Sequence, residues 1–279
     1  MTPPHTTIVE QPRERSRLRR KVGREFYTLK RKAEWRFSRQ KWAKERVEDV
    51  LPFKWKEHRS VLLRPLRDVD MWLQHNKVTN LRLAINQIDG LLICPDETFS
   101  LWKLVGRPTE KKGYLTGLVL DNGKVSQGIG GGLCQLGNLL YWIALHTPLV
   151  VKERWRHSYD VFPDVNRTLP FGSGATLAYN YIDLQLFNPT SQTFQINLRL
   201  SDTHLHGSIF SDLPSRYDYE VFETDHAFRH QWWGGYTRHN RIWRRVTDRE
   251  GGEERVELVT ENHAIMMYEP MLPEATPYS

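Results

Sequence analysis

Apolar positions along the chain change their period several times, and each change marks an element. Val22, Phe26, Leu29, Ala33 and Phe37 recur three and four residues apart, which predicts an amphipathic helix. "VTNLRLAINQIDGLL" keeps helical spacing, with Asn80 or Thr79 as an N-cap and Gly90 as the stop. "LLICPDETFSLW" reads as a short strand, a Pro-Asp turn and an extended segment. "GLVLDNGKVS" alternates about Asn122-Gly123, the signature of a two-residue hairpin turn. In "LCQLGNLLYWIALHT" the helical period returns. It puts Leu136, Leu139, Leu140, Ile143 and Ala144 on one face, and Pro148 ends it. "LVVKERWRHSYDVF" predicts a strand carrying His157, and "ATLAYNYIDLQLFN" a further strand carrying Asp183. "QTFQINLRLS" and "LHGSIFSD" continue as strands after a turn at Asn188-Pro189. Beyond residue 215, "DYEVFETDHAF" and a hairpin around "DREGGEER" predict a small β appendage.

Runs of strands around a few helices predict an α+β fold, a mostly antiparallel sheet with a Cys-bearing helix packed on it. The expected organisation is a basic helical extension over residues 1–50, an α+β domain over 51–215 and a C-terminal β appendage over 216–279.

Charge adds one feature to that picture. The chain of 279 residues carries a net charge of +7, and its basic residues are dense between Arg13 and Arg46. The first reading is a solvated basic face on a helix whose apolar stripe docks on the main domain. The alternative is attraction to an anionic membrane surface through residues 13–46. No nucleic-acid motif is present. The first twenty residues hold no apolar signal region and no apolar run is long enough to span a bilayer, so the expected place is the cytoplasm, with a peripheral position at the membrane left open. Two cysteines, Cys94 and Cys134, are too few for a disulfide scaffold and fit a reducing compartment.

The candidate chemistry lies in "GIGGGLCQLGNLLYW". It lacks the glycine spacing of a dinucleotide fingerprint, and the lysine and hydroxyl of a phosphate-binding loop. It does put a cysteine at a helix start, where unpaired N–H groups and the helix dipole favour a thiolate. Gly130, Gly131 and Gly132 leave backbone bare for a substrate chain, and their N–H groups can serve as an oxyanion hole. His157 is the expected base and Asp183 its orienting partner, following the logic of transglutaminase-like and papain-like thiol enzymes. The competing reading is a small residue at a tight helix–sheet contact. Cys94 reads as a packed residue. "HLHG" and the scattered His226, His230, His239 and His263 show no ligand spacing, so neither a metal nor a cofactor is expected.

Three stretches, "HNKVTNLRLAINQIDGLLICPDETFSLWKLVG", "GGGLCQLGNLLYWIALHTPLVVKERWRHS" and "IDLQLFNPT", resemble the VanW family, a group tied to vancomycin B-type resistance and the cell envelope. The resemblance covers roughly residues 70–212. The family pattern of glycines, Cys-Gln, helix, Arg and His-Ser falls here on Gly130, Gly131, Gly132, Cys134, Gln135, Arg154, His157 and Ser158. This implies substrate contacts for the glycines, Gln135, Arg154 and Ser158. Three positions depart from the pattern. Asp96 replaces the glycine of a Pro-Gly-Glu-Thr-Phe-Ser turn, Gly137 replaces a hydroxyl residue, and Gly174 stands where the family has the aspartate of Asp-Ala-Thr. If that aspartate orients the histidine in the family, this chain has lost the role, or Asp183 carries it. The resemblance implies a link to peptidoglycan or glycopeptide metabolism. A Cys134 acyl hydrolase or transferase acting on a peptide or cell-wall precursor is one expectation. A non-catalytic accessory module that binds an envelope component or a partner protein is the other.

Overall fold

The computed structural model describes residues 16–64, 70–121, 123–161 and 168–269. Helix α1 (Arg17–Phe37) precedes strands β1 (Lys41–Trp42) and β2 (Phe53–Val61). Then come α2 (Met71–Ile85), β3 (Leu91–Ile93), β4 (Glu97–Ser100), the short helix α3 (Leu101–Val105), β5 (Thr116–Asp121), β6 (Lys124–Ile129) and α4 (Cys134–Ala144). β7 (Val150–Glu153), β8 (Tyr159–Asp160), β9 (Gln185–Phe187), β10 (Phe194–Leu200), β11 (His204–Ser211), β12 (Tyr217–His230), β13 (Tyr236–Asp248) and β14 (Glu254–Met266) complete the order. The strands form three four-stranded sheets, β1-β4-β9-β7, β2-β11-β10-β3 and β12-β13-β14-β8, and the β5–β6 hairpin. Only β1–β4 and β8–β14 pair in parallel among the described residues, so the fold is α+β and mostly antiparallel.

α4 is the hub. Leu136, Leu139, Leu140 and Ile143 are buried with Ile196, Leu198, Leu205 and Ile209 of β10 and β11 and with Leu184 and Leu186. Each such side chain contributes about 1.5–3 kcal/mol by leaving water. Gly207 of β11 lets the helix approach. A Cβ there would lie 2.8 Å from Leu139 Cδ2.

Several local expectations are corrected. α2 starts at Met71 with Asp70 at its N-cap position, so neither Asn80 nor Thr79 caps it. Asn80 is buried mid-helix because its amide serves tertiary contacts. His157 lies in an irregular stretch between β7 and β8, and Asp183 precedes β9, so neither is on a strand. Gly90 ends the α2 region with φ +76, and the β5–β6 hairpin closes through Gly123 at φ +76. Asn122, residues 1–15 and residues 270–279 carried parts of the sequence reading and lie outside the described residues.

The largest reversal concerns α1. It docks through Thr28, Arg31 and Trp35, while Leu18, Val22, Phe26, Leu29 and Phe37 face solvent. The reason is polar. Arg31 pairs with Glu153 at 2.7 Å and stands 3.6 Å from Asp183, and Asn180 Nδ2 donates to the Thr28 carbonyl at 3.4 Å.

Candidate functional site

α4 opens directly after the turn Gly130-Gly131-Gly132-Leu133. Leu133 supplies no capping side chain. The entry is closed by backbone bonds from Gln135 N to Gly132 O (3.1 Å) and from Leu136 N to Leu133 O (3.0 Å). The glycines answer to crowding. A Cβ on Gly131 would collide with the Gly117 backbone of β5, one on Gly132 with the Lys77 side chain of α2, and one on Gly130 would sit 2.6 Å from Pro108 Cβ. Asn80 Nδ2 donates to Gly131 O (2.9 Å) and Leu115 O (3.0 Å), and its Oδ1 accepts from Leu115 N (2.8 Å). α2 and the hairpin pack against the loop, burying Gly131 and leaving Gly130 and Gly132 half-buried.

Cys134 is half-buried, and its Sγ donates to the Leu177 carbonyl at 3.9 Å. Burial pushes the thiol pKa up, against a smaller pull from the backbone at Leu177 and at Cys134 itself. Desolvation therefore outweighs what the helix N-terminus offers a thiolate.

His157 lies in the irregular stretch that follows β7. The stretch around it is shaped by two arginines. Arg154 Nε donates to Gly174 O (2.8 Å), its Nη2 donates to Gly172 O, and its guanidinium lies 4.7 Å from the Tyr141 ring centre. Arg156 Nη2 donates to the His263 carbonyl of β14. Together they draw the chain from the β7 sheet to the C-terminal sheet. Trp155 bridges Thr176 in antiparallel sense. No hydrogen bond joins His157 to Cys134 or Asp183 among the described residues. Burial, then the charge of Arg156, lowers the His157 pKa.

Asp183 serves other partners. It is fully buried and accepts from Ser100 Oγ (2.6 Å), Trp102 N (3.1 Å) and Leu184 N (2.9 Å). It anchors the start of α3 and the Arg31 side of α1. Burial pushes its carboxyl up to about 7, against the pull of Ser100, Trp102 and Arg31. Gln135 Nε2 donates to Ser60 Oγ and to Val61 O, both at 2.8 Å, tying α4 to β2. Ser158 is exposed, and its carbonyl accepts from Ile265 N at 3.0 Å.

The three departures from the family pattern have structural counterparts. Asp96 holds φ 62, the left-handed region that a glycine enters without strain. A Cβ on Gly174 would lie 2.6 Å from Asn138 Oδ1, which accepts from Ala175 N at 2.7 Å. Asn138 thus fills the room an acidic side chain at 174 would need. A Cβ on Gly137 would lie 3.0 Å from Leu177 Cδ1.

A second feature escaped the sequence reading. Between β2 and the start of β12 lies a cavity of about 300 Å³. The β2–β11 register skips at Trp55, so Trp55 and the next residue, Lys56, both line it. Lys54, Lys56 and Arg249 face one lining carboxylate, Asp218, with Tyr217 and Tyr219 beside them. Asp218 is already held by Arg249 (2.6 Å), and Lys54 bonds Glu57 (2.8 Å). Lys56 is half-buried with no acidic partner among the described residues, and burial lowers its pKa. The aromatic-basic alternation of "FKWK" was the available signal. No group of three or more His, Cys, Asp and Glu side chains is placed to hold a metal among the described residues.

Comparison with known proteins bears on the stretch that holds Cys134. A search of solved structures finds no match. The chain is 40% identical to the vancomycin B-type resistance protein VanW of Enterococcus faecalis over 174 residues, covering 62% of this chain and 63% of that protein. It is 32% identical to the uncharacterized protein YoaR of Bacillus subtilis over 120 residues, covering 43% of this chain and 38% of that one. The chain thus spans less than two thirds of the length of either relative. A family model described as VanW like protein matches residues 76–210, and over those residues the chain is similar to the VanW family.

Proposed function

We propose that this protein is a non-catalytic accessory module of glycopeptide resistance or cell-envelope metabolism. It holds an anionic cell-wall fragment in the cavity between β2 and β12. The observation that carries this reading is Lys56, an uncompensated cation in an aromatic-walled cavity whose other cations, Lys54 and Arg249, are already paired. Such a lining suits a ligand with one carboxylate or phosphate and an apolar body. Calorimetry with a synthetic peptidoglycan stem pentapeptide and with inorganic phosphate tests it. The Lys56→Gln variant is expected to bind either probe about tenfold more weakly, the worth of one charged hydrogen bond. Absence of binding, or equal binding by the variant, removes the reading.

A thiol enzyme is the second reading. It is favoured by the partial exposure of Cys134 and by a His157 ring with no hydrogen-bond partner among the described residues. In that chemistry Sγ would add to an acyl carbon as its proton passes to His157, and the amine would leave with that proton. Alkylation by iodoacetamide at neutral pH separates the two. The accessory reading expects Cys134 to react no faster than Cys94, because burial raises both thiols. Labelling of Cys134 well ahead of Cys94 would restore the enzyme.

A further inference from the structure

At about 100° per residue, Leu18, Val22, Phe26, Leu29, Ala33 and Phe37 share an arc of roughly 100° on α1. Leu18 is 73% exposed, Phe26 61%, Leu29 65% and Phe37 80%. The docking residues Thr28, Arg31 and Trp35 lie about half a turn away. A helix on a globular domain ordinarily buries its apolar stripe and offers charge to water. α1 does the reverse. Basic residues border the stripe, Arg19 and Lys30 along one side, Lys21, Lys32 and Arg36 along the other. None of these five has an acidic partner among the described residues.

We propose that α1 is an interfacial anchor for an anionic lipid surface. The stripe enters the boundary between headgroups and acyl chains, the bordering lysines and arginines meet lipid phosphates, and the body of the protein stays on the water side. Charge complementarity selects anionic lipid over neutral lipid. The orientation also fits, because the face opposite the stripe is the one bonded to Glu153 and Asn180. No helix among the described residues is long and apolar enough to cross a membrane, so α1 lies on the surface and does not span it. This surface is independent of the cavity at Lys56.

The test is co-sedimentation of the full chain with vesicles of phosphatidylcholine, alone or mixed with phosphatidylglycerol. Partition onto the mixed vesicles should exceed that onto the neutral ones about tenfold and fall with added salt. The double variant Phe26→Ser, Leu29→Ser should lose about tenfold of it. Both positions face away from the body, so its circular dichroism and thermal unfolding should match the native chain. Three results would overturn the proposal. One is no partition at low salt. Another is partition of the double variant equal to native. The third is a dimer in sedimentation velocity that the double variant dissolves, which would assign the stripe to a second copy.

Discussion

The carbonyl of Gly131 accepts the Asn80 amide, while its Cα faces the Gly117 backbone of β5. Neither neighbour can retreat. Asn80 is held by two further bonds to Leu115, and Gly117 is part of the β5–β6 ladder. Gly131→Ala should therefore destabilise the protein by about 3 kcal/mol or more, read as a lowered midpoint of chemical unfolding. If the variant unfolds like the native chain, the packing account of this glycine fails. The same reasoning separates the residue types here. A glycine run before a helix has the same letters whether it bares backbone to a ligand or lets two backbones touch, and the facing residue decides. For Gly131 that residue is Gly117, fourteen positions upstream on β5.

At the scale of elements, α4 and the β10–β11 pair were legible because their periods are unbroken. His157 and Asp183 were misplaced because arginine-to-carbonyl bonds and a buried carboxylate override local period. Neither partner set, Gly174 and His263 on one side and Ser100 and Arg31 on the other, is near in sequence. The β13–β14 pair carries a polar device of the same kind. His239 Nδ1 and His263 Nδ1 lie 2.7 Å apart, His239 Nε2 meets Thr237 Oγ1 at 2.8 Å, and Arg156 and Arg229 add positive charge nearby. Only one proton fits between two facing ring nitrogens, so a doubly protonated pair repels. Burial, then His263, lowers the His239 pKa to about 4. A folded value below the unfolded one near 6.5 means this stability is present above pH 6.5 and is lost as pH falls towards 4. Asp183, raised to about 7, has the opposite sign and loses its contribution as pH rises through 7. The difference between native and His239→Gln unfolding curves cancels the shared groups. That difference should shrink steadily from pH 6.5 to pH 4, and a pH-independent difference would refute the pairing.

For the molecule as a whole, the sheet β2-β11-β10-β3 packs on α4, and the family-matched residues 76–210 end just before β12 begins. The long β12–β14 meander joins the rest through β8, which pairs with β14 at Ile265 and Met266. A second connection runs through the β5–β6 hairpin. Its base is fixed where Gly117 meets Gly131, and at its tip Gly123 lies against the Tyr159 ring of β8 with no room for a Cβ. A hairpin held at one end only bends when pushed. Held at both, it acts as a strut, and a load on the C-terminal sheet passes along it to the first turn of α4. A displacement too small to break any hydrogen bond of the meander would thus be felt at Cys134.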